Sequence, residues 1–240
     1  MAGENRTKVA IVIPTYNEKE NIQELLERIL AIPLPWDPAL IIVDDDSPDG
    51  TGEVVASLAH EERRLHPLIR KGKRGRGTAG IEGFKLALEL NPECIIEMDA
   101  DFSHLPEEIP RLLQEVPRWD IVIGSRFVSG GKDIDRHLLR KCLTFLVRHW
   151  LRIYLKIPVK DITSGFRCFK REVLEAIDFG TLKSQGPSLV QEILFRAFRS
   201  GYRIKEVPIT FENRRKGKTK LNLSILIDTL IFNWKLKRMS

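Results

Sequence analysis

Cysteine is scarce in this 240-residue chain. Cys94, Cys142 and Cys168 are odd in number and far apart, which argues against a disulfide framework and a thiolate zinc site, and for buried, reduced side chains. Long apolar runs are also missing. The longest, Ile225–Trp234 and Leu143–Leu155, are broken by Asp228 and by Arg148, His149 and Arg152, short of the roughly eighteen clean residues a membrane span needs. The opening Met1–Lys8 is polar and has no apolar leader core, so a cytosolic protein is expected. No internal repeat or low-complexity linker is present. Acidic residues are outnumbered, 33 against 39 Lys plus Arg, giving a formal charge of +6, which favours anionic partners: phosphates, nucleic acid or a lipid surface. With 42% hydrophobic and 30% charged residues the chain can bury a real core and is neither disordered nor a membrane bundle.

The first half alternates short β-branched runs with helical spacing, the pattern of βαβ units around a mostly parallel sheet. Strands are predicted at Val9–Ile13, Leu40–Val43, Leu65–Arg70, Cys94–Met98 and Asp120–Ile123. Helices are predicted at Glu18–Leu30, Thr51–His60, Thr78–Leu90 and Pro106–Glu115. Beyond Arg126 the pattern loosens into a basic amphipathic helix over His137–Ile157, an extended piece at Gly165–Phe169, helices at Lys170–Ile177 and Ser188–Ser200, a strand at Ile204–Phe211 and a last amphipathic helix over Leu221–Arg238. The fold class is α/β, with a central mostly parallel sheet flanked by helices and amphipathic surface helices.

Open α/β sheets bind ligands at the carboxyl ends of their strands. Three predicted strands end there in suggestive groups: Pro14-Thr-Tyr-Asn-Glu18, Asp44-Asp-Asp46, and Met98-Asp99-Ala100-Asp101-Phe-Ser-His104. Asp99 and Asp101, two apart on an ending strand, could turn to one point and hold Mg²⁺ or Mn²⁺ through hard carboxylate oxygens. Alternatively they are solvated turn carboxylates. The second half supplies cations, five of them in Asn213–Lys220, enough to grip a diphosphate or else a solvated charge run.

Two strings imitate nucleotide motifs. Gly75-Arg-Gly77-Thr-Ala-Gly80 fits G-x-G-x-x-G, but the segment before it is basic and the first βα turn holds Pro14–Glu18 instead of glycines. A flexible basic loop is the expectation there. Gly217-Lys-Thr219 resembles a P-loop end, but Glu212 stands where the first glycine belongs. No nucleic-acid partner is expected, because no aromatic-rich strand motif accompanies the basic patches.

Seven segments together carry a family resemblance: Ile-Pro-Thr-Tyr-Asn-Glu at 13–18, Val-Asp-Asp-Asp-Ser-Pro-Asp-Gly-Thr at 43–51, Gly-Thr-Ala at 77–79, Met-Asp-Ala-Asp-Phe-Ser-His at 98–104, Gly-Ser-Arg-Phe at 124–127, Asp-Ile-Thr-Ser-Gly-Phe-Arg at 161–167, and Arg-Arg-Lys-Gly-Lys-Thr-Lys-Leu at 214–221. In this order they resemble the family 2 glycosyltransferases, and within them the dolichol-phosphate mannosyltransferase group. The resemblance implies a single GT-A (Rossmann-like) domain over 1–240, with a nucleotide-binding half at 1–125 and an acceptor-binding half at 126–240. The implied reaction moves mannose from GDP-mannose to a dolichyl or polyprenyl phosphate. A transferase of the same family using UDP-glucose is the alternative.

By matching positions, Pro14, Tyr16, Glu18, Val43 and Asp45 would hold the nucleoside, with Met98 and Ala100 beside it. Asp99, Asp101 and Ser103 would hold the Mg²⁺ or Mn²⁺. Arg126, Arg214 and Lys220 would contact phosphates, and Arg140 and Thr144, with Arg126, the acceptor phosphate. Some relatives continue into transmembrane segments where this chain ends at Ser240. Contact with the cytoplasmic face of a membrane is therefore expected through surface helices, with Trp150 and Tyr154 at headgroup level, or through a small membrane partner protein. The acceptor phosphate is already an anion near pH 7, so no general base is required, in keeping with the lack of any obvious His–Asp or Ser–His pair. Direct displacement implies inversion at the anomeric carbon.

Overall fold

Strand β1 (Val9–Thr15) is built from the alternation Val-Ala-Ile-Val-Ile, and that alternation assigns each side chain a layer. Val9, Ile11 and Ile13 enter one core with Leu40 and Ile42, while Ala10 and Val12 enter the other with Ile41 and Val43. The computed structural model describes residues 9–33, 38–72, 74–134, 138–212 and 223–238, excluding the side chains of 138–142 and 223–227. The remaining elements in chain order are α1 (Lys19–Leu30), β2 (Pro38–Asp44), α2 (Thr51–Glu61), β3 (Leu65–Ile69), α3 (Arg76–Glu89), β4 (Cys94–Glu97), α4 (Ile109–Leu113, entered through a 3₁₀ turn), β5 (Ile121–Ser125), β6 (Lys132–Asp133), α5 (Leu138–Leu155), β7 (Arg167–Lys170), α6 (Arg171–Glu175), α7 (Leu189–Arg199), β8 (Ile204–Pro208), β9 (Thr210–Phe211) and α8 (Leu223–Arg238).

Seven strands form one sheet in the order β3-β2-β1-β4-β7-β5-β8, and β6 pairs with β9 in a separate two-stranded ribbon. All neighbours in the large sheet are parallel except β7, which runs antiparallel between β4 and β5. Strands from both halves of the chain thus share one sheet, as the α/β reading expects. Helix α1 presents Ile22, Leu25, Leu26 and Ile29 to one core; α3 and α7 present Phe84, Ala87, Leu189 and Ile193 to the other. Close approach of α3 to the sheet requires Gly83, because a Cβ there would lie 2.4 Å from Val12 Cγ1.

Several expectations shift. The strand expected over Ile204–Phe211 divides at Ile209, whose side chain is buried while its N–H bonds Ser125. The extended piece near Gly165 becomes a central antiparallel strand, a placement no local pattern encodes, because strand neighbours are chosen by tertiary contacts. Helix α3 begins at Arg76, so the expected basic loop ends at Gly75. Among the described residues no helix is long and apolar enough to cross a membrane.

Candidate functional site

The carboxyl ends of β1, β2 and β4 lie side by side, since β1 pairs with both of the others in parallel register. The three acidic clusters of the sequence therefore meet at one edge. Each aspartate following β2 has a different task. Asp44 is fully buried and structural: Thr15 Oγ1 donates to its Oδ1 at 3.0 Å, and Ser47 donates through its N–H at 2.9 Å and its hydroxyl at 2.5 Å. Asp45 turns the other way, accepts the Gly75 N–H at 2.7 Å and lies 2.9 Å from Arg70 Nη1. Burial pushes the Asp45 carboxyl up, with the Gly75 N–H and Arg70 opposing it. Asp46 is exposed on a positive-φ backbone.

Beside them Tyr16 is half-buried with the Arg74 guanidinium 5.0 Å from its ring centroid. Pro14 is half-buried at the end of β1. Glu18 is buried, its N–H bonded to Thr51 Oγ1 at 3.0 Å and its Oε2 accepting from Asn21 at 2.8 Å. Val43, Met98 and Ala100 face away from the site: Val43 sits beneath Gly83 of α3, and Met98 and Ala100 lie in the opposite core. Their side chains are buried in the two cores beneath the site.

At the end of β4, alternation brings Asp99 out between the buried Met98 and Ala100. Asp99 Oδ1 accepts from Arg76 Nη2 at 2.8 Å and Nε at 3.2 Å, while Arg76 Nη1 bonds the fully buried Glu97 at 3.0 Å. Burial pushes Glu97 up despite that pairing. Asp101 is buried and its Oδ1 accepts the Ser103 N–H at 3.0 Å. Ser103, expected beside Asp99 and Asp101 at the metal, meets Asp101 through its backbone N–H. The all-oxygen donor set of Asp99 and Asp101 suits Mg²⁺ or Mn²⁺ over zinc. No group of three or more His, Cys, Asp or Glu able to hold a metal occurs among the described residues. A cation here would complete its shell with substrate phosphates and water, as Mg²⁺ commonly does.

His104 is part of the frame. Its Nδ1 accepts the Asp99 N–H at 3.1 Å, which places any single ring proton on Nε2, and the ring stacks on Phe166 at 5.2 Å. Burial pushes its pKa down.

Arg126 follows β5 and is clamped. Asp161 accepts its backbone N–H at 3.0 Å, its Nε at 2.8 Å and its Nη2 at 2.7 Å, and Thr163 Oγ1 takes a further Nη2 bond at 3.0 Å. Arg126 thus keeps one orientation, with Phe211 and Phe127 4.8 and 5.1 Å from its Cζ. Thr144 is half-buried on α5. The side chain of Arg140, and Arg214 and Lys220 entirely, lie outside the described residues.

Sequence reasoning did not find the holders of these groups: Arg70, Arg76, Glu97 and Asp161. Asp161 stood in a quoted segment without a role, and Arg76 inside the string read as a loop. The glycines of that string serve a different end from phosphate binding. A Cβ on Gly77 would lie 2.6 Å from Gly186 O, so its bareness admits the segment before α7 to the first turn of α3. That segment is held by buried Glu192, which accepts the N–H groups of Lys183 and Ser184 at 3.0 and 2.8 Å.

The family model "Glycosyl transferase family 2" matches residues 10–178. The chain is 40% identical over 225 residues to an undecaprenyl-phosphate mannosyltransferase of Micrococcus luteus, covering 93% of this chain and 91% of that one. It is 38% identical to a polyprenol monophosphomannose synthase of Mycolicibacterium smegmatis, covering 90% and 81%. A dolichol-phosphate mannosyltransferase of Pyrococcus furiosus is 36% identical, with 93% of this chain but 62% of the relative covered. Among solved structures, a mannosyl-3-phosphoglycerate synthase from Rubrobacter xylanophilus superposes with a TM-score of 0.72 at 16% identity, covering 96% and 73%. A glucosyl-3-phosphoglycerate synthase from Mycobacterium tuberculosis, bound to Mn²⁺, UDP-glucose and glycerol 3-phosphate, gives 0.67 at 18%, covering 94% and 79%. These likenesses show the GT-A fold.

Proposed function

The chain belongs to glycosyl transferase family 2 and is a glycosyltransferase, and from that premise we propose that it transfers mannose from GDP-mannose to a polyprenyl or dolichyl phosphate, with inversion. The observation that carries this reading is the meeting, at one sheet edge, of two carboxylate donors, the half-buried Asp99 and the buried Asp101, with a single-orientation guanidinium, Arg126. The mannosyl-lipid activity named for the curated relatives supports the choice of sugar and acceptor.

In this reading the nucleotide is held by residues 1–125 and the acceptor by 126–240, within one domain. Tyr16, Glu18 and Asp45 line the nucleoside end, where Asp45 is fixed by Gly75 and Arg70. Asp99 and Asp101 would hold Mg²⁺ or Mn²⁺, which supplies charge neutralisation of the departing diphosphate. Arg126, already oriented by Asp161, adds a fixed positive group where that charge develops, without reorganising during the reaction. The acceptor phosphate, already ionised, is its own nucleophile and needs no side-chain base, and His104 Nδ1 is occupied by the Asp99 N–H.

The acceptor's lipid tail calls for a membrane-facing side, and α5 and α8 supply one. They pack against each other, with Tyr154 donating its hydroxyl to Trp234 O at 3.1 Å. Phe145, Leu146 and Ile153 are exposed by 51, 63 and 64%, with Ile231 and Trp234 nearby in sequence terms on α8, exposed by 46 and 41%. We place this surface at the cytoplasmic face of a membrane, with the basic residues beside it on anionic lipid. Trp150 and Tyr154, expected as the headgroup residues, are half-buried and stacked on each other at 4.7 Å, so the outer positions fall to Phe145, Leu146 and Ile153.

The test is transfer of radiolabelled mannose from GDP-mannose to a short polyprenyl phosphate with Mn²⁺ or Mg²⁺, beside UDP-glucose as a competing donor. Metal-dependent mannosyl lipid is the expected product. Product from UDP-glucose alone would move the donor assignment, and no lipid product from either donor would overturn the acceptor.

A further inference from the structure

Between the clamped Arg126 and the exposed apolar side of α5 lies a second guanidinium that makes no ion pair among the described residues. Arg148 is half-buried on α5, one helical turn after Thr144. Its Cζ sits 4.0 Å from the centroid of the Phe127 ring, which also receives Arg126, and 4.9 Å from that of Phe145. Its one hydrogen bond among the described residues is a long one, Nη1 to Lys160 O at 3.3 Å, and its Nε is buried without a partner. No carboxylate of the described residues lies within ion-pair distance of it. Asp161, the nearest buried acid on this side, is spent on Arg126 through three hydrogen bonds.

A guanidinium with a buried, unused Nε has hydrogen-bonding capacity left for a ligand. Burial pushes the Arg148 pKa down; Asp161 and Glu206 oppose it, and the neighbouring Arg126 and Arg152 add to it. Two arginines converging on one phenylalanine repel each other unless an anion comes between them or beside them. Arginine is the residue suited to that task, because its planar fork meets phosphate oxygens two at a time. The location restricts the anion further. On one side Arg148 touches Phe145, an exposed ring of the apolar face; on the other it shares Phe127 with Arg126, at the reaction centre. A phosphate attached to an apolar tail fits both neighbours at once.

We propose that Arg148 binds the phosphate of the lipid acceptor at the membrane boundary and delivers it toward Arg126. This deepens the proposed function and rests on its acceptor being an isoprenyl phosphate. The same chemistry could come from an anionic lipid headgroup, and the experiment separates the two sources.

Arg148→Leu and Arg148→Lys would be compared with the unaltered protein on a short, detergent-soluble isoprenyl phosphate at saturating GDP-mannose. Direct binding of that phosphate and of GDP-mannose would be measured by calorimetry, and flotation on neutral and anionic phosphatidylglycerol vesicles run in parallel. The expected result for Arg148→Leu is an acceptor KM raised about tenfold or more, the loss of a charge-assisted contact. Its kcat and GDP-mannose affinity should change by less than about twofold, and Arg148→Lys should recover part of the loss. Unchanged acceptor KM in both variants would overturn the proposal. So would a KM unchanged on the soluble acceptor with flotation lost only on anionic vesicles, since Arg148 would then be a headgroup contact. Donor and acceptor affinity falling together would assign it a structural role instead. If the unaltered protein binds the isoprenyl phosphate through Arg148 yet transfers no mannose, the donor assignment fails and this inference stands; if it binds no isoprenyl phosphate, both fall.

Discussion

The two ends of the site treat charge in opposite ways. Where β1, β2 and β4 end, acidic groups are provided with their own donors: Asp44 with Thr15 and Ser47, Asp45 with Gly75 and Arg70, Asp99 with Arg76. Toward α5 the charge is positive and only partly balanced, Arg126 by a direct pair with Asp161 and Arg148 only at longer range by Asp161 and Glu206. Buried charges are tolerable when paired, and an unbalanced one invites a ligand. The difference separates an end whose carboxylates have donors from the chain itself from an end whose guanidiniums are, in the proposed reading, the ones that meet an anion. The acidic end is built from turns, while the basic end carries its guanidiniums on three aromatic rings, Phe127, Phe145 and Phe211.

The comparison can be broken first at the acidic end. Asp101→Asn or Asp99→Asn should lower mannosyl transfer by about 10²–10³-fold or more at saturating Mn²⁺, and chelation of the unaltered protein should match that loss and be reversed by Mn²⁺. His104→Phe, which keeps the stacking on Phe166, should stay within about tenfold. A histidine variant as damaged as Asp101→Asn in the same assay would restore the case for a base.

Next in size is the clamp of the basic end. Asp161 is fully buried against Arg126, and Arg126 holds the Asp161 carboxyl below its ordinary range against the opposing effect of burial. Asp161→Asn should cost about 3–5 kcal/mol in urea unfolding, the usual penalty for stranding one member of a buried pair. Activity should fall with it, even in the fraction that remains folded. An unchanged unfolding midpoint would show that the clamp contributes no stability.

A smaller effect sharpens the comparison with a pair away from the site. Burial would raise Asp120, but hydrogen bonds from Arg203 and Lys170 outweigh it and bring the carboxyl down to about 2. A folded value below the ordinary 3.8 means that its contribution is complete above about pH 4 and is lost as the pH falls toward 2. Asp120→Asn should therefore cost about 2 kcal/mol near neutral pH, with the gap to the unaltered protein closing below about pH 4. A gap independent of pH would assign the loss to geometry instead of charge.

Least disruptive to the fold is the apolar face. Leu146→Glu together with Ile153→Glu, both exposed, should change stability by only about 0.5 kcal/mol. Flotation on vesicles should drop severalfold while transfer to a short soluble acceptor persists. Vesicle binding that survives both changes would move the membrane contact elsewhere.

The acidic end was readable in advance because its groups sit next to one another in the chain. Asp44–Asp46 and Asp99–Asp101 terminate apolar strands, and strand ends of a parallel sheet face one edge whatever the loops do. The basic end was read less well. Arg126 was expected, but the residue that aims it, Asp161, is 35 positions away. Arg148 was read as a break in an apolar run, since nothing local tells a solvated arginine from one carried inward on Phe127. The glycine string around Gly77 was set aside as a loop for the same reason: its contact, Gly186, belongs to a distant segment.

What the sequence by itself determined are features of short range: the alternation that makes β1 two-faced, the apolar stripes of α1 and α7, the strand-end carboxylates and the broken apolar runs too short to span a membrane. These follow from periodicity and composition, which neighbouring residues carry together. Only the tertiary structure decided that β7 enters the sheet antiparallel between β4 and β5, that Asp161 takes Arg126, that Arg76 joins Glu97 to Asp99, and that Arg148 lies against Phe127 and Phe145. Such pairings depend on which distant segments become neighbours. The free energy that selects them comes from burial and charge compensation across the whole core, which no local window contains.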